Sequence, residues 1–170
     1  METTRKLSVR RRLAASPEQV YAAVSDLKRM ASWSDEYLGA WRFWRGEPHA
    51  GVRFVGWNRN GWRVWFTTCR VVIADRPRQF AFESGFLGMP IARWSYGISG
   101  TADGTCEVVE GWDDLRSGGP IGAFTRWLGT VFTGTTPEQR VRRNEAGMQT
   151  TLRRLATELE GVPDAPQPPE

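Results

Sequence analysis

Histidine occurs once in the chain, at His49, and cysteine twice, at Cys69 and Cys106. One histidine rules out paired-histidine metal sites, and two cysteines without motif spacing give neither a disulfide framework nor a zinc motif. No metal and no cofactor is therefore expected. Long apolar runs are missing as well. Nothing approaches the ~18 consecutive apolar residues of a membrane-spanning helix, and the polar start, Met1 to Lys6, has no apolar block behind it, so a cytoplasmic protein with no membrane span is expected. Lysine is the third shortage: of 23 basic residues only Lys6 and Lys28 are lysines. The arginines gather in short groups, Arg10 to Arg12, Arg140 with Arg142 and Arg143, and Arg153 with Arg154, and 19 acidic residues spread along the chain offset the basic ones to a net +4. Such a balance lacks the strongly positive face of a nucleic-acid binder, so nucleic acid is not the expected partner.

What is present is enough apolar material for one substantial core. With 170 residues, 40% of them apolar, a single domain over 1–161 can hide roughly 70% of the surface of its unfolded chain without a staple. Leu7, Val9 and Leu13 alternate with polar residues and predict a first strand over Leu7 to Ala14, with Arg11 the one break. Ser16-Pro17-Glu18-Gln19 is a capping box with proline at the first helical position, so a helix runs from Pro17 to Leu27. A second short helix or turn follows over Lys28 to Gly39, carrying Met30, Trp33, Tyr37 and Leu38.

From Trp41 to Asp113 the period stays near two, with turn residues at Gly46-Glu47-Pro48, Asn58 to Gly61, Asp75 to Arg78, Gly88 to Pro90 and Asp103-Gly104. This predicts a meander of about six antiparallel strands. On the longest, Gly61 to Ala74, the inward set is Trp65, Thr67, Cys69, Val71 and Ile73, because Arg70 interrupts the other face. Thr136-Pro137-Glu138-Gln139 repeats the helix-start signal, and an apolar stripe through Met148, Leu152 and Leu155 runs to Gly161, a helix of about 36 Å. Gly147 inside it marks a close backbone approach or an adaptable point. Before it, 115–135 carries Phe124, Trp127, Leu128 and Phe132 at helical spacing, either a packing helix or a lid. The proline-rich segment 162–170 is expected to be disordered.

The order strand, two short helices, six strands, long helix describes an α+β protein in which a curved, about seven-stranded antiparallel sheet wraps a long C-terminal helix. On this order, and on Ser16 to Tyr21, Trp33-Ser34, Gly56 to Gly61, Trp65 to Cys69, Phe80 to Phe82, Arg93 to Tyr96 and Asn144 to Met148, the chain resembles the SRPBCC (helix-grip, START-like) superfamily. Its nearest likeness there is the actinobacterial polyketide cyclase/dehydrase-like branch. The resemblance implies an internal cavity that holds a small, mostly apolar molecule: a lipid, an isoprenoid or a polyketide-like aromatic. Its wall would include Trp65, Thr67, Cys69, Val71, Phe80 and Phe82. Trp94, Trp33 and Tyr37 join it, Met148 and Leu152 face it from the helix, Phe124 covers it, and Arg63 or Arg93 meets a carboxylate or phenolate. A cyclase, aromatase or dehydratase is the alternative, although the arginine such enzymes carry on the long strand is replaced here by Val71. An RNA- or ribosome-associated protein is the second alternative. Asp26, Asp35, Glu36, Glu83, Glu110 and Asp113 are the candidate acids, none of them paired by motif, and Asp26, near the end of a helix, is read as a capping or arginine-pairing group. Oligomeric state is left open.

Overall fold

The computed structural model describes residues 6–116 and 118–161; the segment 162–170, expected to be disordered, lies outside them. The chain begins with β1 (Lys6–Leu13), followed by α1 (Pro17–Val24) and α2 (Leu27–Trp33). Six strands come next: β2 (Tyr37–Arg42), β3 (Arg53–Asn60), β4 (Arg63–Asp75), β5 (Gln79–Phe86), β6 (Met89–Gly100) and β7 (Cys106–Asp114). Two helices, α3 (Gly119–Thr133) and α4 (Pro137–Glu160), complete the order. All neighbouring strands are antiparallel, in the order β1-β7-β6-β5-β4-β3-β2.

Local chemistry sets the helix starts. Ser16 and Thr136 each close a reciprocal capping box, with Gln19 and Gln139 respectively, and a proline opens both helices. Asp26 caps α2, accepting from the backbone N–H groups of Lys28 and Arg29, as its place in the sequence indicates. That helix stops at Trp33, however, and Tyr37 and Leu38 belong to β2, where the ring of Tyr37 lies over Gly56. A Cβ at Gly56 would sit 3.4 Å from Tyr37 Cε2 and 3.3 Å from Thr67 Oγ1, so the glycine makes room for the tyrosine.

Two further expectations need correction. Asn58 to Asn60 extend β3, and the reversal is made by Gly61 and Trp62 instead. On β4 the inward set is right through Val71, but a bulge between Val71 and Ile73 places Ile73 opposite Ala81 and Ala74 opposite Phe80, which moves Ile73 to the other face.

The sheet closes on α4, but it is not filled evenly. Around α1, α2 and the last turns of α4, Val20, Val24, Phe80, Val71, Leu152 and Leu155 form a sealed core. Each such side chain contributes about 1.5–3 kcal/mol on burial. The N-terminal half of α4 and α3 instead lie over an open volume.

Candidate functional site

That volume is a cavity of about 660 Å³ between the inner faces of β3 to β7, the first turns of α4, and α3. Alternation along the strands carries large apolar groups into it, and α4 adds Asn144, Met148 and Thr151 at helical spacing. Gly147 also lines it. A Cβ there would meet nothing within 4 Å, so this glycine marks open space and not a close backbone approach.

The inner end abuts the sealed core and holds a buried polar group. Glu110 on β7, 2% exposed, faces Tyr96 on β6, 3% exposed, and the tyrosine hydroxyl donates to Glu110 Oε1 at 3.0 Å. Burial pushes the carboxyl up to about 8, against the hydrogen bond from Tyr96, so it is largely protonated at neutral pH. Burial, followed by the proximity of Glu110, likewise raises the Tyr96 phenol. Cys69 is pushed up to about 11 by burial, with the Thr67 hydrogen bond opposing, which makes it an inert thiol.

The mouth is charged and held by ion pairs. Arg140 makes two bonds to Glu36, at 2.9 and 2.6 Å, and Arg143 approaches the same carboxylate at 3.5 Å. Arg116 grips Asp114 at 2.7 and 2.8 Å. Burial opposes ionisation of Asp114, yet the Arg116 hydrogen bonds hold its pKa below the usual carboxylate range.

The helix α3 covers the cavity and is tied down at its C-terminal end. Asn60 donates to the Thr133 carbonyl at 2.6 Å. Arg63, stacked on Trp62, lies against Gly134, the left-handed residue that caps the helix. A cation suits the negative end of a helix dipole. Thr125, Leu128 and Phe132 turn towards the cavity.

Of the residues expected to line the site, the structure brings Tyr37, Trp65, Thr67 and Cys69 together on one stretch of wall. Phe82, Trp94 and Met148 complete the set. It does not bring the others there. Val71, Phe80 and Leu152 are spent in the sealed core. Trp33 is also buried there, its indole N–H donating to Glu158. Arg63 serves the end of α3, and Arg93 pairs with Glu83 at 2.6 Å. Phe124, 51% exposed, points away from the cavity and stacks on Trp127.

Sequence reasoning missed an aromatic chain at the mouth: Phe132 of α3 meets Phe86, which meets Phe66, which meets Trp57, at centroid distances of 5.6, 5.6 and 5.8 Å. Strand alternation assigns Trp57 and Phe66 to the outer face, where Phe66 stays 38% exposed, and the placement of α3 is what adds Phe132 to the chain. Glu110 was visible as a candidate acid, and its partner Tyr96, two positions after Trp94, is the signal that identifies the pair once the register is known.

A strongly curved antiparallel sheet closed by a long helix around an internal cavity defines the helix-grip class. The chain belongs to the polyketide cyclase / dehydrase and lipid transport family, whose model matches residues 4–160. Among solved structures it is similar to the polyketide-cyclase-like protein Cgl2372 of Corynebacterium glutamicum, at 25% identity and a TM-score of 0.59, covering 95% of this chain and 98% of that one. It is also similar in fold to the aromatase/cyclase Zhui of Streptomyces sp. R1128, at 13% identity and a TM-score of 0.61, covering 91% of this chain and 95% of that one. CalU16 of Micromonospora echinospora shares the fold at 16% identity and a TM-score of 0.57, over 95% of this chain and 78% of its own. A search among curated proteins finds no match. No helix among the described residues is long and apolar enough to cross a membrane.

Proposed function

We propose that the protein binds or carries a small, mostly apolar molecule, a lipid, an isoprenoid or a polyketide-like aromatic, in the cavity between sheet and α4. The observation that carries this reading is the cavity itself. About 660 Å³ with a mostly apolar surface from Phe82, Trp65, Trp94 and Met148, and polar groups gathered at Glu110 and at the charged mouth, matches the size and character of small-molecule sites. In this reading α3 is the cover through which the ligand passes. Its N-terminal side begins at Gly118-Gly119, a joint with a left-handed residue at Gly119, while Asn60 and Arg63 hold the other end. Native mass spectrometry of the purified protein is the test. A co-purified molecule, one per chain, released faster from Leu128→Ala/Phe132→Ala, is the expected result. Empty protein that also fails to take up any apolar compound would contradict the proposal.

A second reading, ring closure or dehydration of a bound polyketide-like substrate, draws on the protonated Glu110, which is placed to act as an acid at neutral pH. Turnover of a poly-β-ketone surrogate, abolished by Glu110→Gln, would favour it over carriage alone.

A further inference from the structure

Buried polar groups in folded proteins are almost always hydrogen-bonded, so those that have no partner within the protein mark what a site is built to meet. Four such atoms belong to cavity-lining residues: Glu110 Oε2, the Tyr37 hydroxyl, Asn144 Nδ2 and the indole nitrogen of Trp57 in the aromatic chain at the mouth. Glu110 is 2% exposed and uses only its other oxygen, on Tyr96. Tyr37, on β2, lines the same cavity as Glu110 and Tyr96.

Charge decides what these atoms suit. The groups next to Glu110 are Tyr96 from β6 and Val9 opposite it on β1, which packs in one cluster with Met148 of α4. None is a cation. The guanidiniums that do line the cavity come from Arg116 and α3 and from the first turns of α4, and Arg116, Arg140 and Arg143 are engaged with Asp114 and Glu36. An anionic head at the inner end would lie beside a carboxyl with no compensating charge, which is costly in a dry site. A neutral oxygen would find a hydroxyl-type donor in the carboxyl and a second donor or acceptor in a phenol.

Resting on the carrier reading above, we propose that the inner end of the cavity recognises an uncharged oxygen, the carbonyl of a ketone or the hydroxyl of an alcohol or phenol. This oxygen is bound by Glu110 Oε2 with the Tyr37 hydroxyl beside it, and the same end discriminates against a carboxylate. A free fatty acid does not enter head first, whereas a ketone- or hydroxyl-ended molecule does.

The test uses the full chain and three probes of one skeleton, naphthalene, 2-acetylnaphthalene and 2-naphthoate, titrated by tryptophan fluorescence. Titrations are run at about pH 6 and about pH 10, on either side of the Glu110 titration. At the lower pH the ketone should bind about tenfold tighter than the hydrocarbon, the scale of one hydrogen bond to a buried group. The naphthoate should bind more weakly than either. At the higher pH the ketone should lose its advantage in the wild type but keep it in Glu110→Gln, whose amide remains a neutral donor. Tyr37→Phe should reduce the affinity ratio of ketone to naphthalene several-fold. Equal affinity for ketone and hydrocarbon, or tightest binding of the naphthoate, overturns the head-recognition site while leaving the cavity reading intact. The same pH loss in Glu110→Gln as in wild type overturns the assignment to Glu110. If none of the three probes binds, the carrier reading fails and this inference fails with it.

Discussion

The two halves of α4 lie on the same sheet yet meet different surroundings. Leu152, Leu155 and Ala156 are sealed against β1, α1 and α2, while Met148 and Asn144, one and two turns before Leu152, and Thr151 beside it face a cavity. The apolar stripe is continuous through both. Amphipathic spacing therefore tells which face of the helix looks inward but not whether the interior is filled, and the filling is set by what the opposite elements bring. The short helices α1 and α2 plug one end with Val20, Val24 and Trp33; at the other end only α3 lies across, anchored by its C-terminus.

Breaking the filled half should cost most. Phe80→Ala, at a fully buried position in contact with Tyr21 and Phe82, is expected to lower stability by about 3–5 kcal/mol in urea unfolding. Thr67→Ala on the cavity wall should cost under about 1 kcal/mol. Comparable losses at the two positions would erase the distinction between core and cavity.

The buried acid comes next. Glu110 holds a proton in the folded chain up to about pH 8 that the unfolded chain has released above its ordinary value of about 4.5. Stability from this group is therefore complete below pH 4.5 and is lost as pH rises towards 8, at a slope of up to about 1.4 kcal/mol per pH unit. Subtracting the pH profile of Glu110→Gln from that of the wild type isolates the effect; a flat difference would show that the carboxyl is ionised and solvated.

Filling the open half should act on binding more than on folding. Met148→Trp, 1% exposed in the wild type and on the cavity wall, is expected to cost about 1–3 kcal/mol from overpacking and to weaken any cavity ligand well beyond that stability loss. The smallest effect should come from Gly147→Ala. Helix propensity favours alanine by up to about 1 kcal/mol, and the new methyl would meet no neighbour within 4 Å, so a modest rise in melting temperature is expected. A fall would mean that Gly147 is needed for flexibility.

Much of the architecture is legible in the sequence because its signals are local. The two capping boxes, the alternation of β4 up to Val71, and the turn at Asp75 to Arg78 are decided by neighbours a few residues apart. The site is less legible because it depends on distant placement. Phe80 and Phe82 alternate identically, yet one lies only in the core and the other also reaches the cavity. Tyr37 looked like part of a second short helix or turn because Met30, Trp33 and Tyr37 recur at helical spacing, although Tyr37 opens β2. Glu110 gives no sign of its pairing with Tyr96, 14 positions earlier, until the β6–β7 register sets them side by side. The bulge that turns Ile73 outward leaves no mark in composition at all.

The central claim is that an unfilled, ligand-sized space lies between the sheet and the first half of α4. Titration with an environment-sensitive apolar fluorophore tests it most directly, because Trp57, Trp65, Trp94 and Trp112 all line that space and would transfer energy to a bound probe. The account predicts one saturable site per chain, micromolar affinity, strong tryptophan quenching, and loss of all three in Met148→Trp while the variant stays folded. Non-saturating binding, or saturable binding that Met148→Trp leaves untouched, would contradict it.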